Sequence, residues 1–103
     1  MEEAAAGATQ VAPGDPRIPY YRGVALVLSR KDPARAESQL RNYLTNVPDS
    51  VDAPSHAVAH EWLAKLYEQQ GKLDQAVGEY QAALALDPKN KTIREALKRI
   101  QKQ

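Results

Sequence analysis

Prolines and one glycine cut most of this chain into stretches of 12 to 16 residues, and in each the apolar side chains return every three or four positions. That spacing places them on one side of an α-helix. No segment alternates apolar and polar residues over a useful length, so no strand is expected. The fold class is therefore all-α. A chain of 103 residues is one small domain with room for a modest core.

The first predicted helix covers 19–30, with Tyr20, Val24, Val27 and Leu28 on its apolar side. Asp32 then offers an N-cap and Pro33 suits a first helical position. The second helix carries Ala36, Leu40, Tyr43, Leu44 and Val47, and Pro48 stops it. A loop with two prolines leads to a third helix, about 55–70, with Ala59, Trp62, Leu63, Leu66 and Tyr67. Gly71 stands where a left-handed C-terminal cap is wanted. The fourth helix, 73–86, carries Leu73, Ala76, Val77, Tyr80, Ala83 and Leu84, and Asp87-Pro88 ends it. The fifth, 91–102, carries Ile93, Ala96, Leu97 and Ile100. Residues 1–16 are rich in Ala, Gly and Pro and have little to bury. They read as a flexible arm, or as the edge of a piece of a longer protein.

The 34 residues from Ala57 to Asn90 closely resemble a tetratricopeptide repeat, a helical hairpin that stacks into arrays. Ala64, Ala76 and Ala83 are small where antiparallel helices approach. Leu63, Tyr67 and Tyr80 fill the space between them. Gly71 turns the chain and Pro88 separates this unit from the next. His60 departs from the family pattern, where a large apolar residue is usual, and Trp62 compensates in part. A weaker copy spans 17–50, carried by Tyr20, Val24, Val27, Ala36, Leu40, Tyr43 and Pro48. Gly23 fits it poorly, because leucine is expected there. Residues 51–56 connect the copies, and 91–103 resemble the solvating cap of such arrays. The resemblance thus implies a bacterial-type module of two helix pairs and a capping helix over 17–103.

Little in the chain suggests chemistry. Lys and Arg total 14 against 13 Asp and Glu, a net charge of +1 that exerts no global pull on nucleic acid or anionic lipid. Cysteine is absent, which excludes disulfides and thiol catalysis and leaves the compartment open. The longest aliphatic run, Val24 to Leu28, is far too short to span a membrane. The acidic start, Met1-Glu2-Glu3, is no signal peptide. The expectation is a soluble protein of unassigned localisation, with neither nucleic acid nor membrane as partner.

His56 and His60 share a helix face, as zinc ligands do, with Glu61 beside them. Two ordinary histidines give the same spacing, no third ligand is evident, and no metal is expected. Ser29, Ser38, Ser50 and Ser55 lack the setting of a nucleophile. Glu61 and Glu68 share a face with Lys65 between them, as in a salt-bridged stripe. No glycine-rich phosphate loop occurs. The chain is read as no enzyme, with no catalytic residue and no cofactor. Lys89, Lys91, Arg94, Lys98, Arg99 and Lys102 stand against Glu95 alone. They read as a solvated face whose late cations suit the helix C-terminus.

The family resemblance implies a concave groove lined by the first helix of each pair. On this sequence those residues are Val58, Glu61, Lys65, Glu68 and Gln69, and in the weaker copy Ile18, Tyr21, Ala25, Leu28 and Ser29. One half is charged and the other apolar, which suits a peptide or helix of a partner protein. Tyr21, Ala25, Glu61 and Lys65 do not match the Lys/Asn clamp of chaperone-binding members, so a terminal carboxylate is not the expected ligand. The function expected is a protein–protein interaction scaffold. The alternative is a structural end module of a longer protein, or a homodimer whose groove takes no separate ligand.

Overall fold

The computed structural model describes residues 15–49 and 53–102. The expected arm lies outside the described residues except for Asp15 and Pro16, and the connecting loop is described from Ala53 onward. Five helices follow in order: α1 (Ile18–Ser29), α2 (Pro33–Asn46), α3 (His56–Gln69), α4 (Leu73–Leu86) and α5 (Lys91–Gln101). No strand occurs among the described residues. The all-α expectation holds, and each helix lies within a residue or so of its sequence-predicted bounds. The chain divides into two compact units, one through Pro54 and one from Ser55.

In the first unit, α1 packs against α2. The Asp15 carboxylate accepts bonds from the Arg17 backbone N–H at 2.8 Å and from its guanidinium at 2.7 and 2.9 Å. The Arg17 side-chain bond, more than any other contact, lowers the Asp15 pKa to about 2. Arg30 ends α1 in the left-handed region, at φ 59°, where its N–H and that of Lys31 cover the last carbonyls. Asp32 is also left-handed, at φ 47°, and its carboxylate accepts the Arg35 N–H at 3.1 Å. The expected cap thus forms. Its bond offsets part of the cost of a left-handed residue other than glycine.

Ala36, Leu40, Tyr43 and Val47 of α2 are buried, with Ile18, Tyr20 and Val27 of α1. Gly23 explains the misfit noted in the sequence. A Cβ on it would lie 2.6 Å from Leu40 Cγ and 2.9 Å from Cδ2. The space expected for a leucine on α1 is filled from α2 instead, and a residue without a side chain is what allows it.

In the second unit, α4 packs on α3 and α5 packs on α4. The Ser55 hydroxyl accepts the Val58 N–H at 3.1 Å and opens α3. Gly71 takes φ 76° after α3, as its position suggested, and the Lys72 N–H closes back on the Tyr67 carbonyl at 2.9 Å. The Asn90 side chain accepts the Ile93 N–H at 3.1 Å and starts α5. Ala59, Leu63, Ala64, Leu66 and Tyr67 of α3 are buried. So are Ala76, Tyr80 and Ala83 of α4, and Ile93, Leu97 and Ile100 of α5. The alanines are small where the antiparallel pair meets, and the two tyrosines fill what remains.

Candidate functional site

The helical repeat puts Glu61, Lys65 and Glu68 on successive turns along one side of α3. Glu61 Oε2 and Lys65 Nζ stand 3.7 Å apart, the expected pair one turn apart. Lys65 Nζ also lies 4.7 Å from the centroid of the Trp62 ring, in cation–π range.

Glu68 makes bonds that the sequence did not foretell. Its carboxylate accepts the Tyr80 hydroxyl of α4 at 2.7 Å and the Arg99 guanidinium of α5 at 2.7 and 3.4 Å. Burial pushes the Glu68 carboxyl up, but the bonds from Arg99 and Tyr80 outweigh it and hold the group below its ordinary value. Burial, then the bond to Glu68, pushes the Tyr80 phenol up, so it stays neutral and donates. Three helices are therefore tied together by one carboxylate.

Above this network lies an open cleft of about 460 Å³. Glu61 and Lys65 of α3, Tyr80 of α4, and Thr92, Glu95, Ala96 and Arg99 of α5 line it. Glu61 and Glu95 are 34 residues apart, and so are Lys65 and Arg99. The cleft thus repeats its acid and its base at the interval that separates successive hairpins. That interval was visible in the sequence, but α5 was read there only as a cap. Of the other expected groove residues in this unit, Glu68 joins through Tyr80 and Arg99, while Val58 and Gln69 are not among the lining residues.

His60 Nδ1 sits 2.8 Å from Glu79 Oε1 of α4, in place of the large apolar contact usual in such hairpins. Among the described residues no group of three or more His, Asp or Glu could hold a metal ion.

In the first unit, Tyr20 and Tyr21 meet edge to face with centroids 5.4 Å apart, and Tyr20 leans on Tyr43 at 5.3 Å. Tyr43 is fully buried and donates its hydroxyl to the Pro54 carbonyl. Tyr21 is half-buried, Leu28 is 68% exposed, and Ile18 is only 3% exposed. Leu28 was also read as part of the apolar stripe of α1, and that part is corrected: one turn from Val27, it faces away from α2.

A hairpin of antiparallel helices with small residues at the contact, a left-handed glycine turn and a further helix packed behind it defines a helical-repeat protein. The family model for the tetratricopeptide repeat matches residues 27–91, and the chain belongs to that family. The match takes in only the end of α1, the less regular helix. Comparison with curated proteins and with solved structures gave no match. The family is one of protein–protein interaction scaffolds, which makes proteins the general class of partner. No helix among the described residues is long and apolar enough to cross a membrane.

Proposed function

We propose that this chain binds a peptide or helix of a partner protein along the face built by α1, α3 and α5, and that it is no enzyme. The cleft over the Glu68 network carries this reading. Its walls present paired acids and bases at a repeat interval, with a tyrosine floor, and its charges are held rather than reactive. Glu61 and Lys65 orient the ligand there, and Val58, Glu68 and Gln69 extend or support the same side of α3. Tyr21 and Leu28 are the apolar anchors. Ile18, being buried, shapes the surface beneath them. In this reading 17–50 is a divergent repeat, 57–90 a regular one, and 91–103 the closing helix.

Peptides selected on the parent from a displayed library supply the test. Joint replacement Tyr21→Ser and Leu28→Gln should leave the chain folded and weaken the selected peptides by about 2 kcal/mol or more. Lys65→Glu should change which peptides bind. Unchanged affinity in both variants refutes the groove. A second reading is self-association through α1, favoured by the exposure of Leu28, a large apolar side chain. It predicts a parent that runs as a dimer and a double variant that runs as a monomer.

A further inference from the structure

Helix α5 turns Ile93, Leu97 and Ile100 inward, and this fixes what its other side presents. Lys91, Arg94, Lys98 and Lys102 all lie exposed opposite the buried side. They form a ridge that advances about 16 Å along the axis. Glu95 is the one acid on this side, toward the cleft, and it stands within ion-pair distance of none of them. Among the described residues the four ridge cations have no acidic partner, in contrast to Arg99, which Glu68 holds.

Local helix physics does not account for this ridge. Cations suit the last turn, but Lys91 opens the helix and Arg94 lies in its first turn, where the dipole disfavours them and no acid offsets them. Arg94, Lys98 and Lys102 follow one another at four-residue intervals, a like-charge ladder that opposes helix formation. A solvated capping face would mix its signs to avoid both effects.

We propose that this ridge is a docking surface for an acidic polypeptide segment, one rich in Asp and Glu, separate from the groove reading and not dependent on it. Charge complementarity selects the occupant: carboxylates laid along the ridge neutralise the ladder and remove its repulsion. A nucleic acid fits less well, because no aromatic side chain stands on this side of α5 to stack a base. The net charge of +1 also gives no long-range attraction to a polyanion. A membrane surface fits less well too, because the apolar side of α5 is buried and has nothing to insert.

The test is fluorescence anisotropy with labelled oligoglutamate on the full chain. Phosphatidylserine vesicles and a single-stranded oligodeoxynucleotide are measured at the same salt. The parent should bind oligoglutamate and lose it as salt rises. Joint reversal, Arg94→Glu with Lys98→Glu, should weaken binding about tenfold or more. The neutral pair, Arg94→Gln with Lys98→Gln, should also bind more weakly yet melt no lower than the parent, since it relieves the ladder. Equal affinity in either variant overturns the proposal. So does a neutral pair that melts well below the parent, or tighter binding to the vesicles or the oligodeoxynucleotide than to oligoglutamate.

Discussion

Adding one methyl group at Gly23 should destabilise this protein, although the same change elsewhere in its helices should stabilise it. Glycine inside a helix costs about 0.5–1 kcal/mol relative to alanine, because it has more freedom to lose on folding. Gly78, in α4, shows that gain undisturbed: a Cβ there meets nothing within 4 Å. Gly78→Ala should therefore raise stability by about 0.5–1 kcal/mol. At Gly23 the new Cβ would lie 2.6 Å from Leu40 Cγ. Leu40 is fully buried and has no free space to move into. Overpacking of this kind costs about 1–3 kcal/mol. Less the helix gain, the net loss is about 1–2 kcal/mol, or some 4–8 °C in Tm per kcal/mol for a domain of this size. Urea unfolding, with m unchanged, measures both variants. Leu40→Ala alone should cost about 2–5 kcal/mol. Combined with Gly23→Ala it should cost less than the sum, because the new methyl occupies part of the vacated space. If Gly23→Ala stabilises as much as Gly78→Ala, α1 and α2 do not approach closely at that point and the account of Gly23 fails.

Ala83 is fully buried in the α3–α4 hairpin, so Ala83→Leu should lower stability by about 1–3 kcal/mol in a thermal melt, and an unchanged melt would show that its side chain is not at a close contact. Glu68 has a folded pKa below its ordinary 4.5, so its stabilisation is complete above about that pH and is lost as the pH falls through the folded value. The stability gap between the parent and Glu68→Gln should accordingly shrink in acid, and a gap that stays constant with pH refutes the network's ionic character. Equimolar zinc should leave the melting temperature unchanged, because His60 is engaged with Glu79 and two histidines alone make a weak site. A rise that disappears in His60→Ala would show otherwise.

Local physics made much of this chain legible. Helix ends were readable because capping acts over three or four residues: Asp32 before Pro33 and Gly71 after α3 act where their types suggest. The stripes of α2, α3 and α5 were readable because burial follows the helical period. The Glu61–Lys65 pair was readable because its partners lie one turn apart. What the tertiary structure decided involves residues far apart in the chain. Glu68 meets Arg99 across 31 residues, and His60 meets Glu79 across 19. Gly23 looked misplaced until Leu40 was seen to fill its space from the next helix. Leu28 fell on the apolar side of α1 by spacing, yet it stands exposed, because helix periodicity defines a direction and only a neighbouring element determines whether that direction is covered.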